Sequence, residues 1–138
     1  MFTDHVDVFQ AFVQGELLPG EGHNGKVYIS SPLGYDEHPL YVYRLLKPLY
    51  GMPSAARAWH TTMSAFLAKE GYTTVGFEKD MCARILKEHG ARILLGAHID
   101  DFVIACANRQ VLDGFCACLL DVFEGTHEEA LQHYLVVR

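Results

Sequence analysis

Arg92-Ile93-Leu94-Leu95-Gly96-Ala97-His98-Ile99-Asp100-Asp101-Phe102-Val103-Ile104-Ala105-Cys106-Ala107 holds two apolar runs broken by two adjacent carboxylates. Short apolar runs on either side of a polar break read as two buried strands joined by a tight turn. Asp is common in turns, where water solvates it. Two carboxylates at one hairpin tip repel each other unless a positive charge lies close by. The pair therefore reads either as a solvated turn or as a cation site.

Outward from this hairpin the patterns alternate. Val111 to Phe123 carries Leu112, Phe115, Cys116, Leu119, Leu120 and Phe123 on one side and predicts a helix. Ser54 to Glu70 is the clearest helix, with Ala55, Trp59, Met63, Phe66 and Leu67 at three- and four-residue steps. Pro53 stands ahead of it and Gly71 behind it as a cap. Tyr72 to Val75 and Met81 to Leu86 read as strands, with a turn at His89-Gly90. In the first half, Asn24-Gly25 is the strongest turn signal, Lys26 to Ser30 and Leu40 to Leu46 read as strands, and 31–39 as a loop. Leu131 to Val137 is expected to close the sheet. The order predicts an α+β fold with helices packed on one face of the sheet, and residues 1–138 as a single domain.

Composition narrows the function. Of 138 residues, 50% are hydrophobic and 20% charged, which excludes a mainly disordered chain. The net charge of −6 leaves no broad basic face for gripping a nucleic-acid backbone. The longest apolar runs, Ile93 to Ala97 and Phe102 to Ala107, fall far short of the roughly 20 residues of a membrane-spanning helix. The first residues lack the pattern of a signal peptide, and an intracellular location, cytoplasmic or nuclear, is expected. Cys82, Cys106, Cys116 and Cys118 read as reduced core residues, because Cys116-x-Cys118 fits no common zinc spacing.

Two further segments carry chemistry. Asp7 lies between Val6 and Val8 in a strand-like run, where Asp is disfavoured and needs a reason. It could instead cap a helix through Phe12. Leu49-Tyr50-Gly51-Met52-Pro53-Ser54-Ala55-Ala56-Arg57-Ala58-Trp59 is a glycine-bearing loop running into the long helix, where Gly-x-Pro is by itself ordinary loop chemistry.

In this order the segments resemble the reverse transcriptases of copia-type long-terminal-repeat retrotransposons. The family's Asp-Val, two residues, Ala-Phe, then Asn-Gly-Glu-Leu is matched by Asp7-Val8-Phe9-Gln10-Ala11-Phe12-Val13-Gln14-Gly15-Glu16-Leu17. Its Val-Tyr-Met strand and Pro-x-Gly-Tyr turn are matched by Val27-Tyr28-Ile29 and Pro32-Leu33-Gly34-Tyr35. Its Leu-Tyr-Gly-Leu-Lys-Gln-Ala-Pro-Arg-x-Trp hallmark is matched by residues 49–59, and its Tyr-Val-Asp-Asp box by His98-Ile99-Asp100-Asp101. The later Tyr-Phe-Leu-Gly-Ile run is similar to Tyr134-Leu135-Val136-Val137. The departures are His98 for Tyr, Pro53-Ser54-Ala55-Ala56 for Lys-Gln-Ala-Pro, and Val136 for Gly.

The resemblance implies a polymerase palm-like antiparallel sheet with partial fingers and no thumb. It implies an RNA-directed DNA polymerase core that joins a deoxynucleotide to a primer 3′-hydroxyl. Such transfer uses two magnesium ions, with manganese as a substitute, to clamp the attacking and leaving oxygens. Asp7 and Asp100 would be the main ligands, with the Val8 carbonyl assisting and Asp101 supporting. Phe12 would lie under the nucleotide sugar as a steric gate, and Tyr50 and Gly51 would line the nucleotide pocket. The implied partners are an RNA or DNA template-primer, deoxynucleotides, and fingers, thumb and RNase H regions beyond this chain. The isolated chain is therefore expected to polymerise weakly or not at all and to self-associate through surface that those regions cover. The alternative function is a non-catalytic retrotransposon remnant, a small folding and interaction module.

Overall fold

The 92–107 stretch folds into the expected hairpin, but its turn is Ile99-Asp100 rather than Asp100-Asp101, because Asp101 already pairs with His98 and Asp7 in the ladders. Strands β6 (Ala91–His98) and β7 (Asp101–Cys106) pair antiparallel from Ile93 opposite Cys106 to His98 opposite Asp101. This is a computed structural model, and it describes residues 1–20, 22–35, 41–74, 81–86 and 91–129. Around the hairpin lie β1 (Phe2–Val8), β4 (Thr73–Thr74), β5 (Met81–Leu86) and β8 (Gly125–Glu129). The six form one antiparallel sheet in the order β4-β5-β6-β7-β1-β8. With helices α1 (Ala11–Gln14), α2 (Ala55–Lys69) and α3 (Arg109–Val122), the chain is α+β, as expected.

The chain divides into two compact units, residues 1–11 with 63–138, and residues 12–62. In the first unit the two-residue period of the strands sorts side chains by face. Val6 and Val8 on β1, Ile93 and Leu95 on β6, and Phe102, Ile104 and Cys106 on β7 are all buried. Helix α3 packs across β7, β1 and β8 and buries Leu112, Phe115, Cys116 and Leu119. Each fully buried Leu, Ile or Phe contributes roughly 1.5–3 kcal/mol of transfer free energy, so this layer is the unit's main source of stability. Phe66 meets Phe123 edge-on at 5.4 Å, and Tyr72 meets Phe115 at 4.8 Å.

Helix ends follow the sequence. The Asn108 side chain accepts the Val111 amide at 3.3 Å and starts α3 at Arg109, two residues before the apolar pattern begins. Gly71, at φ +80°, ends α2, and the Tyr72 amide reaches back to the Leu67 carbonyl at 2.9 Å.

The second unit is built on turns. Strands β2 (Tyr28–Ser30) and β3 (Val42–Arg44) form a two-stranded ladder, each shorter than its apolar run. Asn24 and Gly25 both take positive φ between His23 and Lys26, which exchange backbone hydrogen bonds, as a type I′ turn requires. Pro32-Leu33-Gly34-Tyr35 closes through the Tyr35 amide to the Pro32 carbonyl, with Gly34 at φ +91°. The expected turn at His89-Gly90, the strand Leu131 to Val137 and the Tyr134–Val137 run lie outside the described residues. Among the described residues no helix is long and apolar enough to cross a membrane.

Candidate active site

Strand β1 puts Asp4, Val6 and Val8 on the buried face, so His5 and Asp7 project from the other, open face. Register then gathers the polar residues. Asp7 stands opposite Asp101 on β7 and opposite Thr126 on β8, and Asp101 stands opposite His98 on β6. Thr126, Asp7, Asp101 and His98 thus form one row across four strands, at the end of the sheet where the hairpin turns. Helix α1 begins at Ala11, four residues after Asp7, so Asp7 belongs to the strand and does not cap the helix.

Ile99 and Asp100 are the two residues of the turn. Ile99 has φ +57°, a left-handed conformation that a β-branched residue adopts only under strain of about 1–3 kcal/mol. The Val8 amide donates to the Asp100 carbonyl at 2.9 Å, tying the tip to the end of β1. Val8 thereby fixes Asp100 through its backbone, while its side chain is fully buried.

The electrostatics show a surplus of negative charge. Burial first, then Asp101 and Asp100, push the Asp7 carboxyl above its ordinary value, with His5 opposing them. His5, two residues before Asp7, brings Nε2 within 2.9 Å of Asp101 Oδ1 and Nδ1 within 3.9 Å of Glu128 Oε2. Like charges directly opposite on paired strands cost stability, and an added cation would relieve them. The donors are oxygens only, a set suited to a hard divalent ion such as magnesium or manganese. Asp7, Asp100, Asp101 and the Val8 main chain are the groups that would have to hold it, although the three carboxylates do not bring their oxygens within 4.8 Å of one another, so an ion would have to draw them together.

Gly125, which sequence patterning passes over, lets β8 come close. A Cβ there would collide with the Asp7 carbonyl oxygen and crowd the Val8 Cα. Gly125→Ala is therefore expected to push β1 and β8 apart beside Asp7 and to cost about 1–3 kcal/mol, read as a lower urea midpoint.

In the second unit, Phe12 on α1 and Tyr50 stack at 4.8 Å with their planes tilted by 34°. Gly51 follows at φ +91°, in a turn closed by the Met52 amide and the Leu49 carbonyl at 3.2 Å. A type II turn needs a residue free to take positive φ at this position, so Gly51 has a conformational reason of its own. Trp59 is buried, as a core residue should be, and Arg57 is exposed.

The covered face of the first unit holds a second polar cluster that the sequence reading did not anticipate. Asp4 is fully buried, with Oδ1 at 3.0 Å from Arg109 Nη1 and Oδ2 at 2.9 Å from Arg109 Nη2 and 2.7 Å from His127 Nε2. Arg109 also meets Asp113 at 2.7 Å. Among the described residues, Asp4, Cys116 and His127 are the one trio whose metal-binding atoms all lie within 4.8 Å of one another. Asp4 is already engaged, since Arg109 and His127 take both its oxygens. Burial also pushes the Cys116 thiol up to about 12 and keeps it protonated. Cys106 and Cys116 are buried, in keeping with core residues, and Cys118 is half-buried.

A family model described as "Reverse transcriptase (RNA-dependent DNA polymerase)" matches residues 1–138. Two curated relatives from Arabidopsis thaliana match over 132 residues, 94% of this chain: "Retrovirus-related Pol polyprotein from transposon RE2" at 30% identity and its counterpart from transposon RE1 at 29%. The chain spans only 8% of the length of each. No solved structure matches it.

Proposed function

We propose, from the premise that this chain belongs to the reverse transcriptase (RNA-dependent DNA polymerase) family, that its open sheet face is the nucleotidyl-transfer site of a retrotransposon polymerase core. The observation that carries the proposal is the register of Asp7 against Asp101, beside Asp100 at the hairpin tip. The six-stranded sheet with α3 behind it serves as the palm, and the β2–β3 ladder as part of the fingers. Asp7 and Asp100 are the principal ligands for magnesium or manganese, the Val8 carbonyl assists, and Asp101 supports them. Bound there, a pair of such ions would polarise the α-phosphate and stabilise charge on the attacking and leaving oxygens.

The protein's own groups do the rest. The β1–β7 ladder fixes the spacing of Asp7 and Asp101, and the Val8 amide fixes the tip that carries Asp100. Rigid strands suit this work, because nucleotidyl transfer depends on positioning more than on covalent help. Phe12 is assigned the place beneath the deoxyribose, where an aromatic ring excludes a 2′-hydroxyl, and Tyr50 and Gly51 the side of the nucleotide pocket. Template-primer and deoxynucleotide are the substrates. Since the relatives are Pol polyproteins of which the chain spans 8%, the surfaces that grip those substrates are assigned to regions outside these 138 residues. The net charge of −6 supports that division.

The test is manganese-dependent primer extension on an RNA template together with direct Mn2+ binding, on wild type beside Asp100→Asn. The expected result is Mn2+ binding by the wild type, with weak extension, both lost in the variant. A folded wild-type chain with neither property overturns the reading in favour of the non-catalytic remnant.

A further inference from the structure

We infer that His5 is a positioning residue for this carboxylate site: its Nε2–H donates to Asp101 Oδ1 at 2.9 Å and holds that carboxylate in place beside Asp7. The inference rests on the reading of Asp7 and Asp100 as metal ligands, and it concerns the group next to them.

Three observations converge. The first is register. His5 lies opposite Val103 and Glu128, so its ring is diagonal to Asp101, within reach of long side chains across paired strands. The second is enclosure. The His5 side chain is 14% exposed against 37% for Asp101, so the imidazole is the better fixed of the two partners. Glu128 Oε2, 3.9 Å from Nδ1, flanks the other side of the ring, and carboxylates thus bracket the imidazole on both sides. The third is chemistry. An ionised carboxylate only accepts, so the nitrogen facing Asp101 carries the proton, and the ring's role is that of a donor.

The consequence is a division of labour among the aspartates. An Asp101 held by His5 has one oxygen already committed. Asp7 and Asp100 keep theirs for a cation. Without His5, Asp101 would lose that donor, and of the two imidazoles beside the ladder His98, opposite Asp101 on β6, would remain. Groups that hydrogen-bond the carboxylates of a metal site typically contribute 10–100-fold in metal affinity, and His5 does so to the supporting Asp101.

The test is Mn2+ affinity of the 138-residue chain, followed by the electron paramagnetic resonance signal of free Mn2+, for wild type, His5→Ala, His5→Gln and Asp7→Asn. Circular dichroism melts confirm that each variant is folded. The expected result is affinity about tenfold weaker in His5→Ala and restored to within about threefold in His5→Gln, whose amide reaches the same place with a donor. Asp7-dependent binding that is unchanged in His5→Ala overturns this inference alone. Equal losses in His5→Ala and His5→Gln overturn it as well, since a donor at that place would then not suffice. Absence of Asp7-dependent binding in the wild type overturns the metal-site reading and this inference with it.

Discussion

Asp4→Ala is expected to cost about 3 kcal/mol of stability, the lower end of what breaking a buried ion pair costs. Asp4 is fully buried on the helix-covered face, and its two oxygens meet the fork of Arg109 and the ring of His127. The pairing joins three elements: β1 carries Asp4, the first turn of α3 carries Arg109, and β8 carries His127. Removing the carboxylate leaves a void and two orphaned donors. The loss stays near the lower end because Arg109 keeps Asp113, which also does most to hold its guanidinium protonated. With a urea dependence of about 1–3 kcal/mol per molar, the midpoint should fall by at least about 1 M. Asp113→Ala removes an exposed partner of the same arginine and should shift stability by less than about 1 kcal/mol. Equal midpoints for Asp4→Ala and wild type would mean that the network contributes nothing net.

That cluster also shows where sequence reading loses its grip. The strand pattern gave Asp7 a reason to be noticed, because Val6 and Val8 flank it. The same pattern puts Asp4 in phase with those valines, and a carboxylate in phase with a buried face needs a cationic partner. The signal was present in Asp4-His5-Val6-Asp7-Val8, but the partners, Arg109 and His127, are more than 100 residues away and only the fold brings them together. Strand β8 was missed for a related reason. Gly125-Thr126-His127-Glu128-Glu129 has no apolar alternation, since an edge strand presents charge to solvent. By contrast, the β6–β7 hairpin, the long helix with its glycine cap, and the turns at Asn24-Gly25 and Pro32–Tyr35 were legible, because each depends on local residues alone. The pairing of Asp7 with Asp101 lies between these cases. The ordered motifs implied Asp7 and Asp100 as the neighbouring ligands, whereas the register of β1 against β7 puts Asp101 opposite Asp7 and leaves Asp100 in the turn, a detail only the strand pairing fixes.

Asp7→Asn is expected to reverse its effect on stability according to whether a divalent ion is present. Without metal the variant should be the more stable chain at neutral pH, by up to about 1 kcal/mol, because it removes a like charge directly opposite Asp101. The pH dependence has the same origin. Burial and the neighbouring carboxylates raise the Asp7 carboxyl above its ordinary 3.8, so the folded chain binds that proton more tightly than the unfolded chain does. This group's contribution to stability is therefore highest below about pH 3.8 and is lost as pH rises through the folded-state value. The asparagine variant lacks that fall. With Mn2+ at about a hundred times its dissociation constant, the wild type gains about 2.7 kcal/mol by mass action, while a variant without the ligand gains nothing. The two melting curves should therefore exchange order when the ion is added. A wild type that is unmoved by Mn2+, with the variant still above it, would identify Asp7 as an ordinary strained strand residue. An exchange of order would mean that the repulsion at this end of the sheet is the cost of keeping carboxylates where a cation can recruit them, and that stability is given up where the chemistry needs the charge.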